Sequence, residues 1–250
     1  MTILRYIIKQ ISEQLSFFSR YIRFLRDYGE FDVLNTSDKR FSLNLFDQYP
    51  CLTDWTAQTP FEPHYIYHPA WAARVVQKIN PRKHVDISST LTFASILSAF
   101  IPVEFYDYRP ASLFLDNLSS KRADLMKLPF KTSSIESLSC MHTVEHIGLG
   151  RYGDPLDPQG DLKAIEELKR VIKRKGSLLF VTPIGKPMLR FNAHRIYSYS
   201  QVLSYFEGFT LKEFSLLPDN PYGVGLIKNA SKKIADQQSW GCGCFWFIKD

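Results

Sequence analysis

The stretch that decides the fold covers residues 135–185. It begins IESLSCMHTVEHIGLGRYGDPLDP, continues after two residues with DLKAIEELKRVIKRKG, and ends SLLFVTPIG. The pattern predicts a buried strand at 135–141, a helix at 161–174 that closes on the basic residues and glycine at 173–176, and a second buried strand at 177–182. A helix between two such strands makes a parallel crossover. Ligands bind beyond the carboxyl ends of parallel strands, so the polar segment after the first strand is a candidate site.

Strands and helices alternate through most of the chain. Beyond the deciding stretch, we predict a helix at 69–79 with a proline in its first turn, a strand at 84–88, a helix at 93–100, a strand at 103–108, a short element at 123–128 ending at a proline, a helix at 200–207, and strands near 210–216 and 244–248. This alternation predicts an α/β fold with a doubly wound, mostly parallel, Rossmann-like sheet.

An amphipathic helix is predicted at residues 2–28, with Gly29 ending it. Apolar residues recur at spacings of four and three from Leu4 through Ile8, Ile11, Leu15, Phe18 and Ile22 to Leu25. Charged residues interrupt the segment too often for it to span a bilayer. Three roles stay open: covering the body of the same protein, pairing with another copy, or lying on an anionic membrane surface.

The chain is expected to have two parts. Residues 1–60 hold the N-terminal helical extension and an irregular connection, which we expect to pack through Phe41, Leu45, Phe46 and Trp55. Residues 61–250 form the α/β domain.

Composition gives weak limits on function. The 31 basic and 25 acidic residues leave a net charge of +6, a mild preference for anionic ligands. Of the four cysteines, Cys242 and Cys244 lie too close for the usual zinc chelate and lack a second pair. His146, His194, Asp154 and Asp157 could together hold a metal ion, but no spacing such as HExxH requires one, so no metal is expected. A cytoplasmic location is expected, with residues 2–28 available for contact with the inner face of the membrane.

Three aspartates lie where a nucleoside-binding α/β domain would use them. Asp86 is in the first strand, and Asp107 ends the second strand 21 residues later, where a carboxylate can accept both ribose hydroxyls. Asp124 could accept from an exocyclic amine. Each also has a structural alternative: Asp86 bonded to the following turn, Asp107 paired with Arg109, and Asp124 capping a turn.

The run ADLMKLPF…SSIESLSCMHTVEHI…AIEELKRVIKRKGSLLFVTP resembles the class I S-adenosylmethionine-dependent methyltransferases. The resemblance covers about residues 64–250. In more detail the chain is similar to the family of domain of unknown function 268, through HVDIS, EHIGLGRYGDPLDP, FNAHRIYS and the C-terminal WGCG. The resemblance implies S-adenosylmethionine as cofactor. The expected cofactor contacts are Asp86, Ser88, Ser89, Asp107, Asp124, Leu125 and His142.

One departure from the methyltransferase pattern concerns the turn at residues 87–92, which reads ISSTLT and has no glycine. Each missing glycine adds a Cβ and removes easy access to positive φ. An α/β domain of this descent that no longer binds the cofactor is therefore the alternative.

Ionisable groups cluster in the loop at 148–158, in the residues directly before that loop, and in the segment at 192–195. We expect the loop and the segment at 192–195 to form one acceptor pocket. Methyl transfer to oxygen needs a base, for which His146 and His194 are the candidates, with Asp154 or Asp157 as orienting groups. Arg151, Tyr152, Asn192 and Arg195 are the expected substrate contacts. A structural histidine bonded to a loop carbonyl is the alternative for His146.

The sequence therefore predicts a methyltransferase for a small polar acceptor, and the resemblance loosely implies a sugar or glycan precursor. The first rival is a catalytically silent binding or assembly protein that docks through its N-terminal helix. The second is a nucleic-acid modifier, but no basic and aromatic stripe supports it, so no nucleic-acid partner is expected.

Overall fold

The structure, a computed structural model, describes residues 3–35 and 40–250, without the side chains of residues 3 and 4. Residue 2 and the Leu4 side chain of the predicted helix lie outside this description. The chain divides into two units, Met1–Phe61 and Glu62–Asp250.

The second unit is built on a mostly parallel sheet. Its strands are β1 His84–Ile87, β2 Val103–Asp107, β3 Leu118–Arg122, β4 Ile135–Met141, β5 Ile172–Ile184, β6 Met188–Arg190, β7 His194–Ile196, β8 Phe209–Leu217, β9 Ile227–Lys228 and β10 Gly241–Lys249. Eight of them pair in the order β3-β2-β1-β4-β5-β10-β8-β9, and β6 pairs with β7 in a separate hairpin. Strands β1 to β5 are parallel, whereas β10 is antiparallel to both β5 and β8.

Helices cover both faces of the sheet, which confirms the predicted doubly wound fold. The helices of this unit are α2 Pro63–Ile79, α3 Leu91–Ser98, α4 Gly160–Val171, α5 Tyr199–Tyr205 and α6 Lys232–Asp236, whereas α1 Ile3–Leu34 belongs to the first unit. Alternate residues of β5 serve the two cores: Leu178 and Phe180 pack with α4 and α5, and Leu179 and Val181 pack with α2 and α3.

Helix α2 begins at Pro63, so the prediction that it begins at Pro69 is wrong. Pro63 occupies the first helical turn, where its missing N–H costs nothing, and the Glu62 side chain caps the N–H of His64. Pro69 lies inside the helix. The six additional residues place His64 and His68 on the sheet, where both are buried.

Helix α4 ends at Val171, and the basic residues predicted to close it belong to β5 instead. Ile172 already has extended backbone and pairs with Ile135 of β4. Several donors satisfy the carbonyls at the helix end. The N–H groups of Ser133 and Ser134 donate to the carbonyls of Arg170 and Val171, and the ammonium of Lys249 donates to those of Lys169 at 2.7 Å and Ile172 at 2.9 Å. A residue distant in sequence thus supplies the C-terminal cation.

The predicted element at 123–128 is a turn, and the strand lies just before it, at β3. The strand reads LSSKR, and none of its residues is buried. Because it lies outermost in the parallel half of the sheet, it needs no apolar alternation, which is why the pattern missed it. The β6–β7 hairpin, β9 and α6 were also not predicted.

In the first unit, α1 continues through Gly29, so the prediction that it stops there is wrong. A Cβ added at Gly29 would meet no atom within 4 Å outside the helix's own backbone, and glycine inside a helix costs only about 1 kcal/mol. The side chains of the predicted apolar seam are exposed, with Leu15 at 67% and Phe18 at 64%.

The predicted packing of the connection through Phe41, Leu45, Phe46 and Trp55 is wrong, because all four are exposed, Phe46 at 92%. Trp55 instead carries the guanidinium of Arg23 at 3.7 Å from its ring centroid. Among the described residues, no helix combines the length and apolar character that crossing a bilayer requires.

The glycine at 243 tests the packing of β10 on β5. A Cβ there would lie 2.3 Å from Cγ1 of Ile184 and 2.9 Å from the ring of Phe245, both fully buried. We expect Gly243→Ala to lower the free energy of unfolding of the second unit by about 1–3 kcal/mol in urea titrations. Gly29→Ala, which meets no neighbour, should leave that transition unchanged. A Gly243→Ala protein as stable as the parent would contradict this packing.

Candidate active site

A cavity of about 240 Å³ opens at the carboxyl ends of β1, β2 and β4. This is the edge at which open α/β sheets bind ligands. Most of the predicted cofactor contacts line it, together with residues of the loop after β4. The lining residues are Ser88, Asp107, Tyr108, Arg109, Ala123, Asp124, Leu125, Met126, His142, Thr143, His146, Ile147, Tyr152, Asp154 and Pro155. We call this the first cavity.

The turn after β1 forms without a glycine. Ser88 adopts φ +53°, the left-handed region that glycine enters most easily. Its N–H donates to the carbonyl of Tyr106 at 2.8 Å, and its own carbonyl accepts from the hydroxyl of Thr143 at 3.0 Å. Thr90 then caps α3 by accepting from the N–H of Phe93. These bonds hold Ser88 in the left-handed conformation without a glycine.

Asp107 and Asp124 lie on the wall of the first cavity, each with one oxygen already committed. Oδ1 of Asp107 accepts from the N–H of Arg109 at 2.7 Å, and Oδ1 of Asp124 accepts from the N–H of Met126 at 2.9 Å. The structural alternatives for Asp107 and Asp124 therefore account for one oxygen of each carboxylate. The second oxygen of each remains for a ligand. Leu125, buried directly after Asp124 in sequence, adds an apolar part to the wall.

Asp86 is fully buried and does not line the first cavity, so it supports the site from within the sheet. The hydroxyl of Ser139 donates to Asp86, and that hydroxyl accepts from Nε2 of His84 at 2.9 Å. Burial raises the pKa of Asp86 to about 7 against the opposing effect of these hydrogen bonds. Ser89 is also a support, because its hydroxyl accepts from the N–H of Met141.

A second cavity of about 490 Å³ adjoins the first, and the two share His142, His146 and Tyr152. Both predicted acceptor segments contribute to it. Its lining residues are His64, Tyr65, His142, Glu145, His146, Arg151, Tyr152, Pro183, Asn192, Ala193, His194 and Trp240. The ring centroids of His146 and His194 lie 6.4 Å apart, so the structure brings the two candidate bases together.

His146 is held in one orientation by its backbone partner. Its Nδ1 donates to the carbonyl of Ala193 at 2.6 Å, and the guanidinium of Arg151 donates to the same carbonyl at 3.1 Å. Nε2 is then the unprotonated nitrogen of the neutral ring and can accept a proton. The structural alternative for His146, a bond to a loop carbonyl, therefore applies to Nδ1. Nε2 stays available for a reaction.

Three predicted site residues are occupied by structural bonds. Asp154 accepts from the N–H groups of Gly148 and Tyr152, which shapes the loop, and Asp157 accepts from Lys163 at 2.6 Å. Neither aspartate makes a hydrogen bond to a histidine in the described structure, so the prediction that they orient the base is wrong. Arg195 donates to the carbonyl of Ile147 at 2.7 Å and does not line either cavity, which corrects its predicted role as a substrate contact.

The carboxylate beside the histidines is Glu145, which is 1% exposed. Its Oε1 accepts from Nδ1 of His142 at 2.8 Å and lies 3.9 Å from Nε2 of His146. Burial raises the pKa of Glu145, but the hydrogen bond and charge of His142 outweigh it, and the pKa lies below its ordinary value. Glu145 therefore carries a negative charge between the two rings. His142 itself adopts φ +54° directly after β4.

Helix α2 supplies site residues that the sequence analysis missed. His64 and Tyr65 line the second cavity, and His68 is buried with no partner for either ring nitrogen within the described structure. Burial lowers the pKa of His64 to about 4, so its ring is neutral at neutral pH. The sequence feature that could have identified them is the spacing of His64 and His68, which lie one helical turn apart on one face. It was overlooked because the helix was predicted to begin after both.

The comparisons with known proteins agree with this architecture. The family model described as Caenorhabditis protein of unknown function, DUF268, matches residues 88–238. No curated protein matches the sequence. Among solved structures, the MccD protein superposes with a TM-score of 0.50 at 13% identity, over 72% of this chain and 96% of that one. YcgJ from Bacillus subtilis gives 0.49 at 15%, over 73% and 99%.

A third solved structure is the N-methyltransferase NodS from Bradyrhizobium japonicum in complex with S-adenosyl-L-homocysteine. It superposes with a TM-score of 0.49 at 12% identity, over 75% of this chain and 88% of that one. At these identities the similarity concerns the fold alone. The family model confirms the predicted resemblance to DUF268, and the strand order of the sheet confirms the predicted α/β fold.

The buried carboxyl of Asp86 gives a pH-dependent expectation. Its folded pKa of about 7 lies above its ordinary value, so between about pH 4 and pH 7 the unfolded chain loses a proton that the folded chain keeps. The stability of the parent therefore falls through that window. Asp86→Asn has no such proton, and its stability relative to the parent should rise by up to about 4 kcal/mol across the window.

Urea titrations at several pH values measure this difference. The exposed Asp116→Asn serves as the matched control and should follow the parent. Parallel pH profiles of stability for Asp86→Asn and the parent would show that burial does not raise the pKa of the Asp86 carboxyl.

Proposed function

The chain belongs to the DUF268 family, and from its two adjoining cavities we propose that it transfers a methyl group from S-adenosylmethionine to a hydroxyl of a small polar acceptor such as a sugar or glycan precursor. The observation that carries the proposal is the sharing of His142, His146 and Tyr152 between the two cavities. A cofactor in one cavity and an acceptor in the other would meet at these residues. Group transfer requires this proximity.

The first cavity fits the adenosine part of the cofactor. Asp107 offers its free oxygen to the ribose hydroxyls, and Asp124 offers one to an exocyclic amine, at the ends of successive strands. Leu125 and Met126 add apolar surface for a flat base. When bound, the cofactor supplies an electrophilic methyl group on a positively charged sulfur.

His146 is the proposed general base, because it lines both cavities whereas His194 lines only the second. Its Nε2 takes the proton of the acceptor hydroxyl as the oxygen gains the methyl group. The bond from Nδ1 to Ala193 holds the ring in the tautomer that this step needs. The carboxylate of Glu145 lies 3.9 Å from Nε2, beside the position where the proton is received.

The second cavity suits a polar acceptor with apolar faces. Tyr65, Tyr152 and Trp240 present aromatic surface, while Arg151 and Asn192 present hydrogen-bond donors. His194 stacks on Trp240 with ring centroids 5.9 Å apart, and its Nε2 has no partner within the described structure. These features support a hydroxylated small molecule and give His194 a binding role.

The ribose assignment is tested by calorimetry with S-adenosylhomocysteine. Asp107→Ala removes a charged acceptor for two hydroxyls and should weaken binding by about 2–3 kcal/mol. Asp116→Ala, an exposed aspartate away from the cavity, should bind as the parent does. Equal affinity of Asp107→Ala and the parent would place the ribose elsewhere. Failure of the parent to bind would favour the catalytically silent alternative.

The base assignment is tested by the release of S-adenosylhomocysteine from S-adenosylmethionine in the presence of monosaccharides, nucleotide sugars and short glycans. With an acceptor found in that panel, His146→Ala should lower turnover by about 10²–10⁴-fold, the usual contribution of a general base. Its affinity for S-adenosylhomocysteine should change little. His194→Ala should act mainly on KM for the acceptor. Unchanged turnover in His146→Ala would reject it as the base.

A further inference from the structure

Three side chains of metal-ligand type converge beside the second cavity. His64 comes from α2, His142 follows β4, and Cys242 lies in β10, and their ligand atoms all lie within 4.8 Å of one another. The side chain of His142 is only 7% exposed and Cys242 is fully buried. Nε2 of His142 has no hydrogen-bond partner in the described structure. An orphan ring nitrogen in a buried site costs free energy unless something binds it.

We propose that His64, His142 and Cys242 bind a divalent transition-metal ion, with zinc as the best fit. One thiolate and two imidazoles form a donor set typical of zinc and unsuited to magnesium or calcium, which prefer oxygen. The site borders the second cavity, and His142 also lines the first, but the proposal does not rest on methyl transfer.

The distances are compatible with a tetrahedral ion after a small contraction. Zinc holds sulfur at about 2.3 Å and imidazole nitrogen at about 2.0–2.1 Å, which puts neighbouring ligand atoms roughly 3.3–3.6 Å apart. The ligand atoms here lie within 4.8 Å of one another, a limit that exceeds this spacing by about 1.2–1.5 Å. His64 lies on α2, so a rotation of its ring, which is tilted by 31° against Trp240 with centroids 4.5 Å apart, changes these distances without moving the sheet.

Glu145 supplies the outer partner that metal-binding histidines usually have. Its carboxylate accepts from Nδ1 of His142 at 2.8 Å, which leaves Nε2 as the coordinating nitrogen and fixes the plane of the ring. The left-handed backbone of His142, at φ +54°, turns this side chain back over the end of β4. Glu145 is therefore a positioning residue for the ion and does not ligate it.

Three protein ligands leave the fourth position of a tetrahedral ion open. His64 and His142 both line the second cavity, whereas Cys242 is buried behind them in β10. The open position consequently faces the cavity and would hold water or an oxygen of a bound molecule, as in zinc sites that keep one exchangeable ligand.

The test uses the full-length chain without a histidine tag, stripped with a chelator and titrated with Zn²⁺ against a chromophoric chelator and, separately, with Co²⁺. We expect one ion per chain and a thiolate-to-cobalt charge-transfer band. Cys242→Ser should abolish the band, and His64→Ala should weaken binding by more than about 100-fold. Glu145→Gln should weaken it by about 10–100-fold, the usual effect of losing an outer-shell partner.

Two cysteine variants are the matched controls. Cys244→Ala removes the thiol 3.9 Å from Cys242, and Cys51→Ser removes the exposed thiol of the first unit; both should keep the ion and the band. A parent protein that retains no Zn²⁺, or a cobalt band that survives Cys242→Ser, overturns the proposal. If circular dichroism shows that Cys242→Ser does not fold, the His64→Ala protein takes its place in the test. A folded His64→Ala protein that keeps the cobalt band and the metal affinity of the parent also overturns the proposal. None of these measurements depends on methyl transfer.

Discussion

The position of β1 between β2 and β4 is the constraint on which the site depends. The chain leaves β1 toward β2 on one side and reaches β4 on the other, so the connecting segments part at the carboxyl edge and leave a gap. Ser88, Asp107 and His142 lie on the walls of that gap because each follows or ends one of the three strands. The left-handed backbone at Ser88 and His142 turns the chain away at the same edge.

The antiparallel insertion of β10 between β5 and β8 brings a second set of residues to this edge. A strand that runs against its neighbours begins where they end, so Gly241 pairs with Ile184 at the end of β5. Trp240 and Cys242 are thereby placed beside the histidines of α2 and β4. The motif WGCG has a physical basis in this arrangement, since Gly243 leaves the space that Ile184 fills.

The sequence predicted the parts of the fold that depend on local patterns. The core of β5 is a continuous apolar run and β4 combines apolar residues with small serines, and the aspartate spacing placed Asp107 on the first cavity. It missed β3, whose outer position needs no alternation, and the true end of α4, which depends on Lys249, 80 residues from Lys169. The role of Glu145 could not be predicted, because it rests on a side-chain bond to His142 across a 3₁₀ turn, while the more conspicuous Asp154 and Asp157 are used by the loop itself.

The central claim is that the first cavity holds the adenosine of S-adenosylmethionine with its sulfur toward the second cavity. A crystal structure of the full chain with S-adenosylhomocysteine tests it most directly. The account predicts the ribose hydroxyls within hydrogen-bond distance of the Asp107 carboxylate, and the sulfur on the side of His142 and His146. A ligand bound outside this cavity, or bound with its adenine toward His146, would contradict it.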